Sequence, residues 1–278
     1  MKETQFETEL IQYLTTGRVT PEETANGLLA KEPAGDYCIK TKLWRYEPEI
    51  KTTEQLWQNF KEILERHNQD KLEHPLSVVE FNQVKKKIMD ISTPYEAGQF
   101  LYGLNGVSQI EIDLDEGRHV FLTVFDQRQI GAGDTIYQIV HQIERPAKII
   151  GKQNRRFDTT LLINGLPILQ IEEKRDTHDI NEALNQMQQY VGEGQYRDIY
   201  STLQILVAIT PNNVKYMANT TAENFNKDFA FHWQRRSDNA IVRNWKEFAD
   251  SMLSIPMAHQ MATNYMILDG TKNHQMLK

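Results

Sequence analysis

Residues 155–175 read RRFDTTLLINGLPILQIEEKR. Two apolar runs flank Asn164-Gly165, the dipeptide that most favours a two-residue hairpin turn. Paired positions in an antiparallel hairpin share a constant sum, about 329 or 330 for a turn centred there. Asp158 and Glu172 then face each other, with Cβ atoms about 5 Å apart. Glu172 and Lys174 are two apart in one strand and share a side. Three charges therefore gather at the open end of an otherwise aliphatic hairpin. Like charges opposed across a sheet destabilise it, and burying carboxylates unpaired costs several kcal/mol. A shared divalent cation removes both problems. Two carboxylates plus waters are the usual protein share of a Mg²⁺ shell. A lysine beside such an ion can steady negative charge at a phosphoryl centre. The plainer alternative is an exposed acidic pair with Lys174 in a surface salt bridge. Glu173 is expected on the opposite face, as an exposed acid.

A helix is expected directly after the hairpin, from about 180 to 191. Asp179 and Glu182 make a capping-box-like start. Leu184, Met187 and Val191 supply its apolar stripe. Gln186 and Tyr190, four apart, stack on a neighbouring face and present to the same cleft. Glutamine can bond a base or phosphate, and tyrosine can stack on a base or donate to phosphate.

Further out, an opening helix spans TQFETELIQYLTTG, with Phe6, Leu10, Ile11 and Leu14 inward and Gly17 at its end. Glu7 borders that apolar face and reads as a partly exposed acid. Thr52 with Gln55 caps a second helix, and Ser77 with Glu80 a third. Lysines 85 to 87 read as a solvated face, and Pro94 opens a short helix. VSQIEIDL and HVFLTVF form a hairpin around a DEG turn, and TIYQIVHQI alternates like a strand. YSTLQILVAIT suits a strand buried on both faces. VKYMANT is another strand candidate. The remainder reads as helical, with Ile241, Trp245, Phe248 and Met252 on one face. The fold class is α/β: a mixed central sheet flanked by helices, with a helical insertion at about 45–100.

Composition narrows the function. The 278 residues are 40% hydrophobic and 25% charged, as in an ordinary globular protein. A net charge of −7 argues against a purely electrostatic nucleic-acid binder. One cysteine, Cys38, allows no internal disulfide and fits a reducing, cytoplasmic setting. No run approaches the ~18 apolar residues of a membrane helix, so no membrane partner is expected. His141, His178 and His232 show no ligand spacing and read as structural. Trp44, Trp57, Trp233 and Trp245 read as core.

Asp158, Glu172 and Lys174, followed by Gln186 and Tyr190, resemble the PD-(D/E)xK nuclease superfamily and its glutamine-x-x-x-tyrosine branch. The wording from Arg155 to Tyr190 is similar to the N-terminal nuclease domain of the R subunit of type I restriction enzymes. The opening helix, the FAFHW of 229–233 and the stretch after Asn244 are similar to that family as well. The resemblance implies a restriction-endonuclease-like core that hydrolyses phosphodiester bonds in double-stranded DNA. It implies catalytic Asp158, Glu172 and Lys174, and Mg²⁺ held by Asp158 and Glu172 with the Glu173 carbonyl. It implies DNA contact or site organisation by Gln186 and Tyr190, and a helix acid best matched by Glu7. Its partners would be methyltransferase and specificity subunits. Two departures stand out: Glu173 occupies a usually apolar position, and Phe157 replaces a frequent proline.

No G-x-x-x-x-G-K-S/T occurs, so ATP is expected only in a longer parent carrying a motor. The expected layout is a nuclease domain over 1–260, then 261–278 as the start of a linker to an absent motor. A nucleic-acid-binding or subunit-assembly module with a nuclease-like fold and little catalysis is the competing reading. A structural protein with an acidic hairpin is the third.

Overall fold

The computed structural model describes residues 2–16 and 43–277, so Gly17 and Cys38 lie outside the described residues. Among these residues are seven helices: α1 (Glu3–Thr16), α2 (Thr53–His67), α3 (Val78–Met89), α4 (Pro94–Tyr102), α5 (Ile180–Gly192), α6 (Trp245–Ser251) and α7 (Met257–Thr263). The central sheet has six strands: β1 (Arg45–Tyr46), β4 (Tyr137–Arg145), β5 (Arg155–Ile163), β6 (Leu166–Glu173), β7 (Ile205–Thr210) and β8 (Asn213–Ala218). They lie side by side in the order β1-β4-β5-β6-β7-β8. The β1–β4 and β6–β7 pairs are parallel and the other three antiparallel, so the expected mixed α/β sheet is present.

The turn at Asn164-Gly165 sets the register of the middle of this sheet. Both residues have left-handed backbones, φ 51° and 81°, as the favoured two-residue turn demands. Gly165 is also crowded, since a Cβ there would lie 2.9 Å from the Cα of Phe60 in α2. Asn164 ties the turn down: Ile136 N–H donates to its Oδ1, and its Nδ2 donates to the Val124 carbonyl. Pairing starts at Ile163–Leu166, slips at a bulge between Leu161 and Leu162, then runs through Thr159–Ile171. That bulge converts one of the two expected registers into the other. Continued by one residue, it sets Asp158 opposite Glu172.

All six residues of β7 are buried, as a strand covered on both faces requires. The parallel step from β6 to β7 crosses through α5, which packs on both strands. Both expected capping boxes form, Thr52 with Gln55 and Ser77 with Glu80. The Lys85 ammonium of α3 lies over the Trp57 and Phe81 rings.

The expected hairpin of β2 (Val107–Asp113) and β3 (His119–Asp126) forms, as a sheet of its own set against the inserted helices. Other expectations need correction. Tyr200 to Thr202 belong to a 3-10 turn rather than to β7. Ile241 is 42% exposed and precedes α6, because Asn244 caps that helix with its side chain. The C-terminal stretch is not wholly helical. It ends in a hairpin of β9 (Met266–Asp269) and β10 (His274–Leu277). Gln275 in that hairpin is buried and donates to the Asn219 carbonyl, so the segment expected as a linker packs against the domain. No helix among the described residues is long and apolar enough to cross a membrane.

Candidate active site

The site lies at the C-terminal end of β6, where open α/β sheets commonly hold their ligands. Asp158 Oδ2 accepts the Glu173 amide N–H at 2.9 Å, which fixes the carboxylate across the end of the hairpin. The Asp158 charge bears directly on the Glu172 carboxyl. Lys174 Nζ lies 3.3 Å from Glu172 Oε1 and 4.0 Å from Asp158 Oδ2. It also donates to the Glu173 carbonyl at 2.9 Å. Sequence reasoning placed these three side chains together, and the structure brings them together.

Their burial is deeper than expected. Glu172 and Glu173 are wholly buried, and Asp158 and Lys174 nearly so. Burial pushes the Asp158 carboxyl above its usual range, against the pull of Lys174. Burial and then the Asp158 charge push Glu172 well up. For Lys174 burial works the other way, but the Glu172, Asp158 and Glu3 carboxylates outweigh it and raise its pKa.

Glu173 is a correction, since it is not an exposed acid. Its side chain is enclosed, neither carboxyl oxygen has a hydrogen-bond partner, and burial raises its pKa well above the carboxylate range. Alternation correctly turned it away from Glu172. The error lay in taking that second face as solvated, when β6 is buried along its whole length.

Glu7 is a second correction, because it is 4% exposed. The α1 helix is held down by Phe6 and Tyr13, whose rings meet Trp245 edge-on at 5.4 and 5.2 Å. That packing points Glu7 at the site, where one oxygen each of Glu3, Glu7 and Asp158 lie within 4.8 Å of one another. His141 Nε2 is 3.1 Å from Glu7 Oε2, and Gln142 Nε2 donates to Glu7 Oε1 at 3.2 Å. Two neighbours in one strand reach the same carboxylate because Gln142 has a left-handed backbone, φ 59°. Sequence reasoning missed Glu3, His141 and Gln142. An acid one turn before Glu7 was the only local signal for Glu3.

Gln186 and Tyr190 face one another as their spacing requires, with Gln186 Nε2 donating to the Tyr190 hydroxyl at 2.5 Å. Tyr190 is 2% exposed, and its ring packs against Phe157 and Tyr196 at 5.0 and 6.1 Å. Burial, then the Glu172 charge, raises the phenol pKa. Phe157 is thus the floor of an aromatic cluster beside Asp158. Asp179 caps α5, but Glu182 turns to His178 at 2.6 Å instead of closing a capping box. Trp233 is only partly buried, unlike Trp44, Trp57 and Trp245.

The donor set suits a hard cation. Glu172 Oε2 is a buried oxygen with no partner, and the carboxylates around it outnumber the one nearby ammonium. Magnesium takes such oxygens, with water filling the rest of its shell. Asp158 and Glu172 are side chains that could hold it.

A mixed sheet with acids and a lysine gathered at one strand end defines an α/β domain of nuclease-like type. A sequence profile described as "Type I restriction enzyme R protein N terminus" matches residues 32–225. The chain belongs to that family. It is 30% identical to the type I restriction enzyme SsaAORF53P endonuclease subunit of Staphylococcus saprophyticus, over 81% of this chain and 23% of the relative. It is 29% identical to the SauMSSORF170P endonuclease subunit of Staphylococcus aureus, over 80% of this chain and 22% of the relative. The EcoprrI endonuclease subunit of Escherichia coli is 30% identical over 57% of this chain and 49% of the relative. The chain thus spans under a quarter of the two staphylococcal relatives and about half of the third.

Proposed function

We propose that the chain is a metal-dependent DNA endonuclease domain that hydrolyses phosphodiester bonds, working within the R subunit of an ATP-dependent type I restriction system. The carrying observation is the convergence of Asp158, Glu172 and Lys174, with Lys174 on one Glu172 oxygen and the other buried without a partner. Asp158 and Glu172 would hold Mg²⁺. The bound ion would polarise a phosphoryl oxygen and acidify a water. Lys174 places its ammonium beside both carboxylates, where it can stabilise charge developing on the phosphate. Its bonds to Glu172 and the Glu173 carbonyl hold it in place. Gln186, anchored by the Tyr190 hydroxyl, keeps its amide oxygen for DNA. With its ring faces occupied, Tyr190 acts by positioning Gln186. The DNA is double-stranded, the setting is the cytoplasm, and the motor and the methyltransferase and specificity subunits belong to the larger assembly.

A binding or assembly role with little catalysis is the second reading, favoured by the net charge of −7. Melting in EDTA, Mg²⁺ and Mn²⁺ tests the metal site, because a ligand bound only by the folded state raises the melting temperature. The shift is expected in the unchanged chain and absent in Glu172→Ala. Supercoiled DNA nicked by the unchanged chain but not by Asp158→Ala or Lys174→Ala supports catalysis. If the isolated chain is silent, the same substitutions in the whole R subunit decide, and cleavage surviving them there rejects the assignment.

A further inference from the structure

The loop joining β4 to β5 plays no part in the chemistry above, yet it leads straight into the strand that carries Asp158. From Arg145 to Phe157 the chain reads RPAKIIGKQNRRF, with five basic residues and no acid, in a protein of net charge −7. At its apex Ile149 is 44% exposed and Ile150 fully exposed, just before a turn at Gly151 with φ 85°. Exposing two adjacent isoleucines stabilises nothing in the free protein.

The loop's base is built rigidly. Arg145 is fully buried, with its guanidinium 4.8 Å from the Tyr200 ring centre. It donates to Thr53 Oγ1 and to the carbonyls of Gln195 and Arg197. Lys148 pairs with Asp198, and Arg155 grips Glu193 through two nitrogens. Arg156 is exposed and has no ion pair among the described residues. It sits two residues before Asp158, on the rim of the site. Arg155 also lines an open groove of about 510 Å³ together with Glu182, Asn185, Gln186 and Gln189. A polar groove therefore runs from Arg155 past Gln186.

We propose that this loop docks the DNA, its Ile149–Ile150 tip seated in the minor groove with Lys152 and Arg156 on the flanking phosphates. The proposal rests on the nuclease reading and names the contact that brings DNA to the site. Apolar wedges with basic flanks are a recurring minor-groove device. Two side chains are too few for a stable protein interface, which buries about 800 Å² per partner. The reach also fits. Eight residues separate Ile150 from Asp158, at most about 26 Å of extended chain. That is under one duplex turn of about 34 Å, so the groove engaged is one next to the scissile phosphate.

The test is fluorescence anisotropy of the full chain on a short A·T-rich duplex. Ca²⁺ is the only divalent cation, salt is low, and concentrations reach the nonspecific range of roughly 10⁻⁴ M. The unchanged chain should bind and be displaced by netropsin, a minor-groove ligand. Ile149→Ser combined with Ile150→Ser should weaken binding about tenfold and remove the netropsin sensitivity. Arg156→Gln should lower the slope of log affinity against log salt by about one. These side chains are exposed, so melting temperatures should not move. Serine variants that bind as the unchanged chain does would overturn the proposal, and so would no binding at all. The Mg²⁺ melting shift separates the two ideas: if it persists, the loop has failed but the metal site stands. If it is missing as well, the nuclease reading fails.

Discussion

The Glu173 amide holds Asp158 Oδ2 at 2.9 Å, so the backbone of one strand aims the carboxylate of the next. An asparagine keeps an oxygen for that amide while removing the charge. Asp158→Asn should therefore fold normally, with a melting temperature in EDTA at or above that of the unchanged chain, since functional acids held close together cost stability. It should show no Mg²⁺ shift, and its cleavage in the whole R subunit should fall by about a thousandfold or more, the scale of losing about 4 kcal/mol of transition-state stabilisation. Differential scanning fluorimetry and plasmid nicking read the two halves. A metal shift in Asp158→Asn equal to that of the unchanged chain would sink the ligand assignment.

Glu173 makes the opposite prediction. Its carboxyl is enclosed with both oxygens unpartnered, while its carbonyl and amide do the work at the site. Burying such a group without partners costs about 1–3 kcal/mol. Glu173→Met, similar in length and apolar, should raise stability by about that amount and leave the Mg²⁺ melting shift intact. Urea midpoints provide the measurement. Destabilisation, or loss of the metal shift, would mean that the side chain holds a partner of its own.

The turn that sets the register can be tested directly. Gly165 has φ 81° and no room for a Cβ, with the Phe60 Cα only 2.9 Å from where one would sit. Gly165→Ala combines a left-handed alanine with a backbone clash and should cost about 2 kcal/mol or more. A one-residue slip would turn every side chain of β6 to the other face and separate Glu172 from Asp158. Circular dichroism in urea tests the stability. An unchanged midpoint would show that the turn does not constrain the sheet.

The parts of the site legible in the sequence are those fixed by short-range geometry. Asn164-Gly165 names its own turn, and the strand period then places Asp158, Glu172 and Lys174 together. Thr52 and Ser77 announce their helices because a cap is a contact over three residues. Glu7 is different. It lies 134 residues from His141, and its burial depends on α1 packing against Trp245. No local pattern carries that information. The left-handed Gln142, which lets two adjacent residues reach Glu7, has no turn-forming neighbour to signal it. Ile241 fell at helical spacing by coincidence, and the cap at Asn244 overrode it. The C-terminal hairpin was missed because its strands are only four residues each and only half-buried. Short strands of mixed polarity show no clear period.

A pH dependence follows from a histidine packed against Tyr137 and Phe125. His259 in α7 is 2% exposed, and its Nδ1 lies 2.8 Å from the Tyr137 hydroxyl. That hydroxyl also accepts the Gly131 N–H. Burial lowers the imidazole pKa from 6.5 to about 4. Between those values the unfolded chain binds a proton that the folded chain refuses. Stability therefore falls as pH drops from 6.5 to 4, with no further loss from this group below 4 and none above 6.5. At about 1.36 kcal/mol for each unit of pKa, the full loss is about 3 kcal/mol. Carboxylates also titrate in this range, so the useful quantity is a difference. His259→Gln keeps a hydrogen-bonding side chain and removes the titration. Its unfolding free energy should start lower at neutral pH and fall less steeply toward pH 4, narrowing the gap to the unchanged chain by about 3 kcal/mol. Urea unfolding of both proteins across that interval gives the answer, and parallel curves would show that His259 takes up its proton without cost in the fold.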